Sequence, residues 1–255
     1  MSLKITSLNA NGIRAAERKG LSSWLKDENP DIFCLQELKA QEEQIPAELK
    51  ELGYHIALSV AEKKGYSGVA TFSKIKPLAE FNTTGIDWMD NEGRVIVSEF
   101  EHFQLINLYT PSGSSGDHRQ HFKERFMEEF PDWLASIKKK DLPQLIATDL
   151  NIAHTELDIH NPKSNKNNPG FLPEERDWLT VFLENGFTDL FRTIHEDEPD
   201  HYSWWSYRAR ARVSNKGWRI DYFLAEDELA EKMTSCEICS DVVLSDHAPL
   251  KLMLF

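Results

Sequence analysis

Residues 145–152 read LIATDLNI: a short run of apolar and small residues, then Asp149 and Asn151 in alternation. Such a run reads as a buried strand, and alternating residues of an extended chain face the same side. Five other segments share this construction. KITSLNAN ends in Asn9 and Asn11, and DIFCLQE ends in Glu37. FQLINLYTPSG carries Tyr109, WRID ends in Asp221, and VVLSDHAPL carries Asp246 and His247. Polar and ionisable groups repeated at strand ends are costly to bury unless they converge on something. An oxygen-rich set with one histidine suits a hard divalent cation and phosphate chemistry.

Working outward, further strands are predicted over 5–8, 32–35, 55–60, 68–72, 94–100, 103–109, 219–224, 234–238 and 250–254. Leu21, Trp24 and Leu25 at helical spacing predict a helix over 15–28, stopped by Asn29-Pro30. Shorter helices are expected over 46–52, before Gly53, and over 174–185, before Gly186. Phe122, Phe126, Phe130, Trp133 and Leu134 mark an amphipathic helix over 120–136 despite Pro131. Mixed strands with helices in both halves predict two packed sheets with helices outside, an α/β layered sandwich.

The 255 residues contain no Pro/Gly/Ser-rich linker, internal repeat or low-complexity tract, so a single domain over 1–255 is expected. Cys34 lies in an apolar run and reads as a buried thiol; Cys236 and Cys239 form a lone CxxC and read as packing residues. The N-terminus lacks the pattern of a secretory leader, and no apolar run approaches a membrane span. A cytoplasmic protein is therefore expected. The net charge of −13 argues against a general nucleic-acid binder, whose affinity comes mainly from phosphate contacts. Basic residues are nevertheless gathered locally. Arg208, Arg210, Arg212, Lys216 and Arg219 fall in 207–220 without one acid, among Trp204, Trp205, Tyr207 and Trp218. Lys163 and Lys166, and Lys63 and Lys64, form smaller groups. Focused basic segments with aromatics can grip a polyanion even on an acidic protein.

Each candidate also has a plainer reading. Asp149 could simply hydrogen-bond a neighbouring loop, Asp246-His247 could pin a turn, and Tyr109 could be a core aromatic. Asn9 and Asn11, before Gly12, could be turn formers. A buried Glu37 needs a cation or a donor in any case.

The ordered motifs LNANGIR, CLQELK, KKGYSGVA, NEGR, NLYTPSG, TDLNIAH, NNPGF, SWWSYR, GWRIDYFL and SDHAPL cover the chain from Leu8 to Leu250. Together they resemble the exodeoxyribonuclease III branch of the endonuclease/exonuclease/phosphatase family. The resemblance implies a four-layered α/β sandwich, two packed mixed β-sheets flanked by helices, with the site at one edge. It implies Mg²⁺-dependent cleavage of duplex DNA 5′ to abasic sites, with Mn²⁺ as a substitute. Exonuclease action from 3′ to 5′ and 3′-phosphatase action on blocked 3′ ends accompany it, and a monomer is expected.

Carried over by position, the resemblance makes Glu37 the main metal carboxylate, helped by Asn9 and Asp246. Asp149, Asn151 and His247 also belong to the implied metal set. Asp149 would orient or deprotonate the attacking water, and Asn151 would hold a phosphate oxygen. His247, paired with Asp221, would polarise the scissile phosphate, and Tyr109 would donate to it or assist the leaving group. Either Asp149 or His247 could be the base. Trp204, Trp218 and Ile220 would line a pocket for a flipped-out abasic sugar. Asn11, Asn165, Asn168 and Arg208 would contact substrate, and Arg94 would be structural.

Three departures stand out. Thr148 replaces the glycine usual before the Asp of DxN, which puts the placement of Asp149 at issue. Ser112 replaces an Asn that often follows Tyr-x-Pro. PSGSSGD also resembles the catabolite repression control protein, a translational regulator on the same scaffold that lacks parts of the site. A regulator has no physical reason to keep buried, mutually repelling acids, which favours the enzyme. A phosphodiesterase acting on phosphoinositide or sphingomyelin would leave the tryptophans and the basic stretch without a task.

Overall fold

A computed structural model of the chain describes residues 2–114 and 116–255. Alternating side chains divide the chain into layers. In β1 (Leu3–Asn9), β2 (Ile32–Gln36), β3 (His55–Ser59) and β4 (Val69–Ser73) nearly every residue is buried or half-buried. Ile5, Ile32 and Cys34 point into the core between the sheets, whereas Leu8, Phe33 and Leu35 point outward under Ile13, Leu21, Leu25 and Leu49 of the flanking helices. Strands buried on both faces read as continuous apolar runs, which is why the runs were legible.

The second sheet is built the same way from β5 (Ala79–Phe81), β6 (Val95–Glu99), β7 (Gln104–Tyr109), β8 (Gln144–Asp149), β9 (Phe187–Asp189) and β10 (Asp221–Glu226). Leu105, Leu145, Ala147 and Phe223 face the first sheet. Ile106, Leu108, Ile146 and Leu224 face the helices Asp117–Ser136 and Pro173–Glu184. With β11 (Met233–Ile238) and β12 (Leu250–Leu254) the strand orders are β11-β12-β1-β2-β4-β3 and β5-β6-β7-β8-β10-β9. Helix, sheet, sheet and helix make the four layers.

Each sheet holds one parallel pair, β1 with β2 and β7 with β8, among antiparallel neighbours. The C-terminal ends of those four strands, and the starts of antiparallel β10 and β12, lie along one edge of the sandwich. Asn9, Gln36, Tyr109, Asp149 and Asp221 are the terminal strand residues there. Just behind that edge a polar node joins the sheets. Gln36 donates to Asn107 (2.9 Å) and Ser7 (3.0 Å), and Asn107 donates to the Ala70 carbonyl (2.8 Å) and Thr71 Oγ1 (3.1 Å). Buried hydrogen bonds that cross from one sheet to the other favour one mutual placement of the layers.

Some expectations need correction. The helix expected over 15–28 is two, Ile13–Glu17 and Leu21–Glu28, broken at Gly20 with φ 93°. Glycine enters that left-handed region without penalty, so the chain turns there. Strands β5 and β9, three residues each, carry too little pattern to be seen. The helix through Pro131 runs unbroken from Asp117 to Ser136. Pro131 has no N–H for the carbonyl of Met127, and the Trp178 indole donates to that oxygen at 2.8 Å instead. Cys34 and Cys236 are buried free thiols, and Cys239 is half-buried and free. No described helix is long and apolar enough to cross a membrane.

Candidate active site

At the polar edge opens a cavity of about 640 Å³. Asn11, Glu37, Tyr109, Asp149, Asn151, Asn168, Trp204, Trp218, Ile220, Asp246 and His247 all line it. Residues spread over most of the chain therefore meet. Asn9 and Asp221 stand one step behind. Asn9 donates to Asp149 at 2.7 Å, and Asp221 accepts from the His247 ring at 2.9 Å. Asn165 and Arg208 do not line the cavity. The Asn165 amide donates to the carbonyls of His160 and Asn161 and its oxygen accepts from Asn168, so it shapes the loop that presents Asn168.

Three of the polar side chains are aimed by unusual backbone. Asn11, Glu37 and Asn151, each just past a strand, have φ of 43°, 55° and 55°. Left-handed geometry is uncommon for Glu, and non-glycine residues held there cost on the order of 1–3 kcal/mol unless the surroundings enforce them. The surroundings do so here. Gly12 N–H donates to the Glu37 carbonyl (2.8 Å), and the Asn151 N–H donates to the Asp149 carboxylate (3.0 Å). Gly170 is needed as well: with φ 93°, an added Cβ would come within 3.0 Å of the Trp218 ring and 3.1 Å of the Asn151 carbonyl.

Asp149, Asp221 and His247 are all buried, with their polar atoms within 4.8 Å of one another. Burial, then the neighbouring Asp221 charge, push the Asp149 carboxyl up to about 7, although His247 and the Asn9 amide pull the other way. Burial alone would lower His247. The charge of Asp221 and its hydrogen bond outweigh burial and raise the imidazole to about 10. A carboxylate only accepts, so Nδ1 carries the proton shared with Asp221 and Nε2 is a second donor in the charged ring. Ser203 Oγ donates to the same Asp221 oxygen at 2.6 Å and accepts from the Ile220 and Asp221 N–H groups. Burial, with Glu37 and Asp149, holds the Tyr109 phenol well above its ordinary value, so it stays a donor.

Several residues outside the implied catalytic and metal set support this edge. Arg94, buried, donates to the Tyr109 carbonyl (2.8 Å) and to Glu92 (2.7 Å), and lies under the Tyr109 ring. Lys39 Nζ bridges Glu37 (2.9 Å) and Asn11 (2.6 Å). Lys123 pairs with Glu175 at 2.7 Å, both fully buried, and also donates to the Asn151 carbonyl. Glu175 in turn accepts from the Gly170 and Leu172 N–H groups, tying two cavity loops together. A signal for Lys123 was present: it shares helical spacing with Phe126 and Phe130, on the apolar face.

The tryptophan wall is partly as expected. Trp204 and Trp218 meet edge-to-face with ring centroids 6.1 Å apart, beside Ile220, and the Trp204 indole donates to Asp246 at 3.1 Å. Trp205 is buried elsewhere and bonds Asn215. The basic stretch is smaller than it reads. Arg219 is fully buried against Asp158 and Asp189, and Arg212 spends its donors on the carbonyls of Ser240, Val242 and Ser245. Arg208, Arg210 and Lys216 remain exposed. Thr148 takes ordinary strand pairing between Leu108 and Tyr222, so Asp149 is not displaced; its buried hydroxyl is left without a partner. Ser112 lines the cavity with its hydroxyl against Ser114; Ser115 of PSGSSGD lies outside the described residues.

Carboxylates, a charged imidazole, a phenol and carboxamides on one cavity make the centre of a phosphoester hydrolase. The chain matches the model of the Endonuclease/Exonuclease/phosphatase family over residues 6–247. It is 44% identical to an exodeoxyribonuclease of Bacillus subtilis (strain 168) over 253 residues, 99% of each chain. Its fold is similar to that of an AP endonuclease from Archaeoglobus fulgidus, with TM-score 0.87, 30% identity and 99% of each chain covered. It is also similar to the 3′ phosphatase NExo from Neisseria bound to product DNA hairpin, with TM-score 0.91, 26% identity and 99% of each chain covered. The chain belongs to the endonuclease/exonuclease/phosphatase family, in its exodeoxyribonuclease III and AP endonuclease branch.

Proposed function

We propose that this chain, as one domain over 1–255, nicks duplex DNA 5′ to abasic sites at the cavity described, leaving a 3′-OH. Exonuclease action from 3′ to 5′ and removal of 3′-phosphate follow from the same chemistry, because each hydrolyses a phosphoester at the same centre. The observation that carries the reading is the convergence of Glu37, Tyr109, Asp149, Asn151, Asp246 and His247 on one cavity beside the recess of Trp204, Trp218 and Ile220.

A carboxyl near 7 is matched to taking a proton from water at neutral pH, so Asp149 is the base. His247 is already protonated and serves as a charged donor to a non-bridging phosphate oxygen. Asp221 and Ser203 hold the ring in that orientation. Asn151, fixed through its backbone, presents its amide to the phosphate, and Tyr109, held by Arg94, offers a proton towards the leaving oxygen. Trp204, Trp218 and Ile220 receive the sugar; a nucleotide without a base costs least to unstack, so the lesion is favoured. Asn168, and the exposed Arg208 and Arg210, touch the backbone.

The donor set fits a hard divalent cation, since the carboxylates of Glu37, Asp149 and Asp246 open on one cavity with carboxamides between them. Glu37 and Asp246, which line the cavity, would hold Mg²⁺, or Mn²⁺ in its place, and Asn9, expected among the ligands, supports them from behind with its amide engaged by Asp149 and the Asn11 N–H. Asp149 and Asn151 line the same cavity and would join them, whereas the doubly protonated His247 ring has no lone pair to offer a cation. When bound, the cation supplies charge neutralisation for the phosphate and the departing 3′-oxygen. The intact acid set also favours catalysis over a silent regulatory role.

Incubation with an abasic duplex and Mg²⁺ should give nicks that EDTA abolishes. Absence of nicking at stoichiometric protein overturns the reading. Trp218→Ala should cut discrimination between abasic and intact duplex more than it cuts metal affinity; equal loss on both substrates would remove the recess from the argument.

A further inference from the structure

We propose a second metal site, for a borderline divalent ion with Zn²⁺ foremost, formed by His195, Glu198 and His201. None of the three lines the catalytic cavity. They follow the helix Leu190–Ile194 in the segment HEDEPDH, where Glu196, Asp197 and Asp200 add negative charge that concentrates cations.

The three donor atoms stand near enough together to share one ion. Glu198 Oε2 lies 2.8 Å from His195 Nδ1 and 2.9 Å from His201 Nε2, and the three donor atoms lie within 4.8 Å of one another. With Zn–ligand bonds of ~2.0–2.1 Å, neighbouring ligand atoms stand roughly 3.3 Å apart, so a small retreat of the carboxylate admits an ion. Two imidazoles on one such ion have centroids roughly 5 Å apart; here they are 5.2 Å apart. Two nitrogens and one carboxylate oxygen favour Zn²⁺ over Mg²⁺. The side chains are partly exposed, which leaves a fourth position to water.

The ligands are held before any ion arrives. Phe191 stacks on His195 (4.4 Å) and meets His201 edge-on (5.5 Å). Arg192 donates to the carbonyls of His195 and Glu198, both at 2.8 Å, and is itself anchored on buried Asp158 at 2.6 Å. A surface triad serving only as an ion pair needs no such anchoring. A site fixed this firmly binds with little ordering cost. The segment runs directly into Ser203 and Trp204, so an occupied site stiffens the approach to the catalytic edge.

The test uses the full chain, stripped with EDTA, desalted and then held in saturating Mg²⁺. One equivalent of Co²⁺ should develop the visible bands of a four-coordinate ion, and Zn²⁺ should abolish them. His201→Ala should remove the bands, and Glu198→Gln, at an exposed position that the fold does not need, should weaken binding at least tenfold. Both variants should nick abasic DNA in Mg²⁺ as the parent does, and Asp149→Asn should keep the bands. Absence of bands in the parent, their persistence in Glu198→Gln, or their loss in Asp149→Asn overturns the proposal.

Discussion

Asp149 and Asp158 are both buried aspartates, and their surroundings drive their carboxyls in opposite directions. Burial would raise each. At Asp158 the guanidiniums of Arg219 (2.7 Å) and Arg192 (2.6 Å) outweigh burial and hold the carboxyl far below its ordinary range. Asp189 completes that group, at 2.7 Å from Arg219. At Asp149 the nearest charges are another acid and one imidazole, and the carboxyl sits near 7. One group is closed, with its charges matched from within the protein. The other is open, retaining excess negative charge that only a proton or an added cation relieves. Closed charge clusters build a fold, whereas open ones do chemistry.

The largest expected effect tests the open cluster. Asp149→Asn should lower the abasic nicking rate by about 10²–10⁴-fold, the range for loss of a positioned acid–base group. At pH 8 the same variant should melt higher than the parent, because a buried charge is gone. A variant that is inactive and also less stable would show that Asp149 serves the fold.

Arg219→Met examines the closed cluster. Leaving Asp158 and Asp189 short of a partner should cost about 3–5 kcal/mol in urea unfolding. A loss under ~1 kcal/mol, the scale of a surface pair, would erase the contrast.

The pH dependence sharpens it further. Asp149 is raised in the folded state, so its contribution is present below about pH 4 and lost as pH rises to about 7. His247 is also raised, and its contribution is lost between about pH 6.5 and 10. Asp158 is lowered, so its contribution is present above its unfolded value and lost only in acid. Mg²⁺ competes with the proton at the open cluster, and the rise in melting temperature on adding Mg²⁺ should be larger at pH 8 than at pH 5. Equal rises at both would detach the cation from Asp149.

The smallest effect concerns the neighbour of Asp149. Thr148→Val keeps the shape and removes a buried hydroxyl that has no partner. A gain of about 1 kcal/mol is expected, with activity retained. A loss of stability would mean that the hydroxyl is satisfied in solution.

Much of this was legible in the chain itself. The apolar runs announced the buried strands, and the polar residues that end them announced the cavity. Glu37, Tyr109, Asp149, Asp246 and His247 each end or follow an apolar run in the sequence, and all line one space in the fold. What failed did so for physical reasons. Gly20 breaks a helix whose apolar spacing continues across it. Arg219 stands in a basic run yet is buried, because its acids come from Asp158 and Asp189. Asn165 reads like Asn168 but turns back on its own loop.

Local sequence determined the layers and the kind of chemistry, because alternation, turn residues and side-chain type act within a few positions. Tertiary structure alone decided the charge states. Asn9 reaches Asp149 across 140 positions, and Asp221 reaches His247 across 26. A carboxyl's proton affinity depends on such neighbours and on burial, and neither exists until the two sheets close together.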